Sequence, residues 1–259
     1  MLQPEKLRKN EDFFKELNDL NLDFIVVVAY GKIVPSEVLQ APKTACINIH
    51  WSILPAYRWA SPIQEAVKNW DPKTWLTIMY MSKWMDEWDV LKIEEVNIAR
   101  DNTTLDIFKK FEIIGADLLI KTLKWVLSWD IVWQKQDENL ATYCSKIEKE
   151  DWLIDFTDTA INIYNKHKAY KTWPGVFNKY NDKKFSIEEC DFIDCEILEE
   201  WIFEIWDIIE YSHEWKNSVW VACGSGILLL EQIKLEWKKS MDINSFINGN
   251  KDFLDYNFK

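Results

Sequence analysis

The 259-residue sequence predicts an α/β layer sandwich followed by a small β-rich domain. Three observations predict it. Apolar runs of strand length alternate with amphipathic helical stretches through the first half. Near Asp130 that alternation gives way to a polar connector. Beyond the connector, residues 219–223 and 227–230 are apolar and flank Gly224-Ser225-Gly226, a hairpin signal.

The elements follow in order. Residues 11–21 read as an amphipathic helix, with Phe13, Phe14, Leu17 and Leu20 on one face at the 3.6-residue period. Phe24 to Ala29 is a continuous apolar run, the signature of a parallel strand buried on both faces. Pro35-Ser36-Glu37 opens a short helix, and residues 44–49 form the next strand. Ser61-Pro62 pairs an N-cap with proline at the first helical position, starting a helix that runs to about Asn69. Residues 76–81 alternate as a strand, and 102–127 form a long helix. After the connector come a helix over 159–169, a turn at Trp173-Pro174-Gly175 and a set of short strands. The expected division is 1–129, a connector 130–147, and 148–259.

Composition excludes several classes. No apolar run reaches the ~18 residues of a membrane span. The first residues lack the charged-then-apolar order of a signal peptide. Five scattered cysteines with no C-x-x-C pair, and only three histidines, argue against a zinc site and for a reduced, cytoplasmic protein. Net charge is −12. It divides as 17 basic against 21 acidic groups up to residue 139, and 14 against 22 after it. Neither half is a basic module, so any RNA contact needs a local cationic patch on an acidic body.

Tryptophan stands where glycine is expected. There are 16 Trp and 6 Gly, against the roughly 7% Gly of ordinary proteins. The Trp sit in turn contexts such as Asn69-Trp70-Asp71, Glu87-Trp88-Asp89 and Glu236-Trp237-Lys238. Core Trp in a genuinely Trp-rich protein would follow an apolar period, and these do not. We read the codons as UGA, decoded as glycine in the source and written here as tryptophan. Moving 15 of the 16 raises glycine from 6 to 21, an ordinary content.

The densest polar cluster near strand ends is Asn48, His50, the loop Ser52-Ile53-Leu54-Pro55, and Asp86 after the next strand. Ligands of parallel sheets bind beyond the carboxyl ends of strands. Asn48 and His50, two apart, share one side of an extended segment. An amide, an imidazole and a carboxylate suit acyl transfer without a covalent intermediate. The amide donates to a carbonyl oxygen gaining charge, the imidazole donates or shuttles a proton, and the carboxylate orients and charges the imidazole.

With glycine restored at 51, 59, 70, 75, 84 and 88, residues 45–91 resemble the methionyl-tRNA formyltransferase family. The motifs are Asn48/His50, Ser52-Ile53-Leu54-Pro55, Arg58-Trp59-Ala60-Ser61-Pro62 and Trp84-Met85-Asp86-Glu87-Trp88-Asp89. Val26 to Gly31, Thr142-Tyr143 with Lys146-Ile147, Trp173-Pro174-Gly175, Val221 to Gly224 and Glu236 to Lys239 extend it over nearly the whole chain. Trp173 is the one Trp the family pattern expects.

The resemblance implies a Rossmann-like parallel sheet lacking its first strands, followed by an OB-like barrel that binds tRNA. It implies formyl transfer from 10-formyltetrahydrofolate to the amino group of initiator methionyl-tRNA, by a monomer using no metal and no membrane. Asn48, His50 and Asp86 would be catalytic, and Ser52, Ile53, Leu54 and Pro55 would line the folate site. Lys183, Lys184, Lys238 and Lys239 are candidates for the tRNA face. Three departures stand out: Met1 falls mid-domain, indoles at 51, 59, 84 and 88 should crowd the crevice, and the C-terminal half is acidic. As written, the chain is expected to misfold or to be inactive. The rival readings are a sibling enzyme acting on an amino sugar or on glycinamide ribonucleotide, a non-catalytic RNA-binding protein, and a Trp-lined carbohydrate module.

Overall fold

The computed structural model describes residues 3–82, 86–130, 132–194, 204–213 and 216–258, and divides into two compact units. Unit 1 comprises Met1–Glu65, Pro72–Ile98 and Asp106–Lys146; unit 2 comprises Ala66–Asp71, Ala99–Leu105 and Ile147–Lys259.

Unit 1 opens with α1 (Glu11–Asp19), capped by the Asn10 side chain, which accepts the Phe13 N–H. Then come β1 (Phe24–Val28), α2 (Ser36–Leu39), β2 (Ala45–His50), the two-residue β3 (Arg58–Trp59) and α3 (Pro62–Lys68), whose residues from Ala66 onward are assigned to unit 2. β4 (Lys73–Tyr80), β5 (Val90–Asn97), α4 (Thr104–Ser128) and the short β6 (Tyr143–Cys144) follow. The sheet order is β1-β2-β4-β5. β1 and β2 pair in parallel, the Rossmann-like feature, while β4 and β5 each add antiparallel. β1 lies at an edge with Val26 and Val28 37% and 49% exposed, so its apolar run is half-solvated here. Ile47, Ile63, Leu76, Ile78, Met79 and Ile107 are fully buried; Leu76 and Ile78 lie on one face of β4 and Met79 on the other, so both faces of that strand are covered. Among the described residues no helix is long and apolar enough to cross a membrane.

Unit 2 contains α5 (Ala160–Tyr170), capped by Thr159, and then β7 (Val176–Tyr180), β8 (Lys183–Ile193), β9 (Ile208–His213), β10 (Lys216–Ala222) and β11 (Ile227–Leu235). β12 (Met241–Asp242) and α6 (Ile243–Gly249) close it. The sheet is antiparallel, in the order β7-β8-β11-β10-β9, with β12 on β11. The expected hairpin is present: Ala222 pairs with Ile227 across residues 223–226. Its two glycines have different reasons. A Cβ on Gly224 would sit 1.9 Å from the Thr157 carbonyl oxygen, whereas Gly226 has φ +78.

Among the described residues five Trp share that left-handed backbone: Trp59 (φ 79), Trp70 (54), Trp129 (60), Trp206 (78) and Trp237 (63). The φ of Trp59 and Trp206 match those of Gly175 (82) and Gly226 (78). This is the geometry glycine adopts without steric cost and a bulky residue does not. Trp75, Trp125 and Trp220 lie in β4, α4 and β10, where regular backbone singles out no residue type. Trp84, Trp201, Trp215 and Cys195 fall outside the described residues. The four described cysteines are free and buried.

His167 on α5 is 3% exposed, and burial pushes its imidazole down to about 4. In the unfolded chain it titrates near 6.5. Between those values the unfolded state binds a proton that the folded state refuses, so stability falls as pH drops from about 6.5 to 4 and is unaffected by this group above 6.5. The full shift is worth roughly 3 kcal/mol. Urea unfolding followed at pH 7 and pH 5 should show unit 2 losing stability, and His167→Phe should flatten that loss. An equal loss in the variant would place the cause elsewhere.

Candidate active site

The site grows from the carboxyl end of β2. Strand alternation puts Asn48 and His50 on one face, opposite Met79 and Thr77 of β4 respectively. Asp86 sits in the turn after β4 with φ 60. Its Oδ1 lies 3.7 Å from His50 Nδ1, both side chains being about nine-tenths buried. The other ring nitrogen, Nε2, donates to the Tyr57 carbonyl at 3.0 Å. Asp86 Oδ2 accepts the Trp59 backbone N–H at 2.9 Å. The imidazole is thus held between a carbonyl and a carboxylate, an arrangement that orients both nitrogens. Asn48 is placed beside the pair by its register on β2.

The loop 52–55 is tied down from within. Ser52 Oγ donates to the Ala56 carbonyl at 2.7 Å, and the Ser52 carbonyl accepts the hydroxyl of buried Thr77. Leu54 packs with Met79 and Val90. Ser52 and Leu54 are therefore turned inward, while Ile53 and Pro55 are half-buried.

Three of the crowding indoles are described. Trp51 meets Phe108 edge-on at 4.8 Å, Trp59 is half-exposed and tilts onto Tyr143 at 4.6 Å, and Trp88 is exposed. Trp84 and Met85 lie outside the described residues. Tyr57, Trp59 and Ser61 all have positive φ, so the segment presenting the Tyr57 carbonyl to His50 is strained at alternate residues. Cys46, near the start of β2, has its thiol pushed up to about 11 by burial, so it supplies no thiolate nucleophile at neutral pH.

Sequence reasoning passed over the residues around the carboxylate. Arg58 is fully buried. Its guanidinium bonds the Gln136 side-chain carbonyl at 2.8 and 3.2 Å and both Glu138 oxygens at 2.8 Å. Gln136 Nε2 donates to the Asp86 and Trp88 carbonyls at 2.9 and 2.6 Å. A polar Gln-Asp-Glu run in a connector gives no hint of this. The one available signal was an arginine beside a turn, with acidic and amide groups far along the chain to receive it.

Known proteins are similar over both units. The Formyl transferase family profile matches residues 2–123, and the Formyl transferase, C-terminal domain profile matches residues 146–251. Methionyl-tRNA formyltransferase of Caldicellulosiruptor saccharolyticus is 38% identical over 251 residues, covering 97% of this chain and 78% of that protein. The crystal structure of HypX from Aquifex aeolicus in complex with tetrahydrofolic acid has a TM-score of 0.66 at 16% identity, over 95% of this chain and 41% of that one. Methionyl-tRNA formyltransferase from Clostridium thermocellum has a TM-score of 0.56 at 20% identity, over 71% and 79%. At these identities the two structures speak to fold.

Proposed function

The chain belongs to the methionyl-tRNA formyltransferase family, and on that premise we propose that it transfers a formyl group from 10-formyltetrahydrofolate to the amino group of initiator methionyl-tRNA. The observation that carries the chemistry is the buried His50–Asp86 pair beside Asn48. When bound, 10-formyltetrahydrofolate supplies an activated formyl carbon. The half-buried Ile53 and Pro55, with the backbone of 52–55, suit a flat ring with polar edges.

As the methionyl amine attacks that carbon, negative charge gathers on the formyl oxygen. Asn48 and His50 donate hydrogen bonds to it. To do so His50 releases the Tyr57 carbonyl that occupies Nε2. Asp86 keeps the ring oriented and helps move the proton lost by the amine to the leaving nitrogen of the donor. No covalent enzyme intermediate is needed, because the amine is itself the nucleophile. The test uses the chain carrying glycine at the fifteen positions and labelled formyl donor, with methionyl-tRNA, an amino-sugar nucleotide and glycinamide ribonucleotide offered in competition. Label on the tRNA is expected; label on either small amine instead would sink the assignment.

Residues 148–259 form the tRNA-binding domain in this reading. Lys183 and Lys184 begin β8, and Lys238 and Lys239 follow β11. The two pairs share one end of the sheet, where the Glu236 N–H donates to the Lys184 carbonyl at 2.8 Å and Leu235 registers with Phe185. Lys184 Nζ also lies 4.8 Å from the Phe177 ring centroid. A local cationic end on an acidic body is what recognition of an acceptor arm requires. Changing all four to Ala should weaken tRNA binding and reduce the slope of log K against log salt by about 3–4 if each lysine makes one phosphate contact, at roughly 0.7–0.9 per lost contact. kcat at saturating tRNA should hold. An unchanged slope would move the tRNA face elsewhere.

A further inference from the structure

We propose that Arg58 and Gln136 are positioning residues that clamp the turn carrying Asp86, making the connector 130–147 part of the catalytic machinery; this rests on the formyl-transfer reading above. The guanidinium is fully buried, so its charge must be paired, and its planar fork is spent on connector side chains: Gln136, Glu138 and, at 3.5 Å, the Tyr143 hydroxyl. Two of its N–H groups converge on Gln136 Oε1. That fixes which way the Gln136 amide faces, because a flipped amide would set its own N–H groups against the guanidinium.

Held so, the Gln136 amide has one direction left for its donors. Nε2 reaches the carbonyls of Asp86 and Trp88, bracketing the turn from behind. From the front, Trp59, the residue after Arg58, gives its backbone N–H to Asp86 Oδ2. The connector is fastened again where Gln134 and Val90 exchange N–H···O bonds at 2.8 Å, and where Tyr143 pairs with Arg58 in a short parallel bridge. Asp86 is thereby held by its own carbonyl and by one carboxylate oxygen, leaving Oδ1 toward His50. Arg58 and Gln136 reach His50 through Asp86.

The discriminating substitution is Gln136→Glu in the full chain carrying glycine at the fifteen positions. It keeps, and strengthens, the partner of Arg58, but sets a carboxylate where the Asp86 and Trp88 carbonyls need a donor. Gln136→Met keeps the length and removes both functions. The clamp predicts that both variants lose ten- to a hundredfold in kcat, with KM for donor and tRNA within threefold. Full kcat in Gln136→Glu would mean that Gln136 serves only to accept hydrogen bonds from Arg58, and would overturn the proposal. Hydrogen exchange provides a readout independent of turnover. Faster amide exchange confined to residue 59 and residues 86–90 supports the clamp, and unchanged exchange there overturns it. Loosening there in a parent chain that transfers no formyl group would count against the assigned reaction and leave the clamp standing.

Discussion

In the chain carrying glycine at the fifteen positions, His50→Ala should lower kcat for formyl transfer by a factor on the order of 10³, as expected for removing an oxyanion donor that also handles protons. KM for donor and acceptor should change less than threefold, because the ring is buried and offers little binding surface. Asp86→Asn is a finer probe. The amide oxygen would still accept the Trp59 N–H, but the charge facing Nδ1 would be gone. A fall of similar size is expected, and the double variant should be no worse than the poorer single one, since the two groups work as one unit. Multiplying losses would mean that Asp86 and His50 act separately. Undiminished turnover in His50→Ala would remove the imidazole from the chemistry and revive the reading of the chain as a binding protein. Circular dichroism of each variant separates lost chemistry from lost folding.

Restoring glycine is the second large effect. At Trp59, Trp70, Trp129, Trp206 and Trp237 the backbone is left-handed, which costs an L-residue about 1–2 kcal/mol. Glycine removes that strain but adds entropy to the unfolded chain, so the net gain is roughly 0.5–1 kcal/mol per site, or about 2–4 kcal/mol for the four sites other than Trp59. That is a large share of the stability of many domains, roughly 5–15 kcal/mol. Trp129 and Trp237 are more than nine-tenths exposed and lose almost no packing. Trp59 gives up its contact with Tyr143, worth about 0.5–1.5 kcal/mol, so its gain should appear in turnover instead. Three positive-φ residues crowd 57–61, and relaxing the middle one lets the Tyr57 carbonyl leave His50. The expected result is a higher urea midpoint for the fivefold Trp→Gly chain, and measurable formylation once positions 51, 84 and 88 are also changed. Peptide mass spectrometry of the protein from its own source should find glycine at 59 and 70. Tryptophan in those peptides would end the recoding argument.

Much of this was legible in the residues. The run Phe24 to Val28 became β1, Ser61-Pro62 stands at the head of α3, and Gly224-Ser225-Gly226 joins β10 to β11. Asn48 and His50 were readable as a same-face pair, and Asp86 as a group past the next strand end. Strand direction was not readable. Alternation at period 2 looks the same whether a strand runs with or against its neighbour, so β4 and β5 gave no sign of adding antiparallel. The connector was misleading for a similar reason. Gln136 and Glu138 read as solvated polar chain, because nothing local shows that a buried guanidinium some eighty positions earlier needs them.

By itself the sequence determined the family and most of the element order, though not β5 (Val90–Asn97), and its composition and turn contexts raised the reading of tryptophan as glycine. All of these are written in local spacing and residue type. Only the tertiary structure decided which carbonyl His50 holds, which oxygen of Asp86 faces it, and that Arg58 reaches the same turn through Gln136. Those are distances between groups far apart along the chain, and they exist only once packing has closed the loops between them.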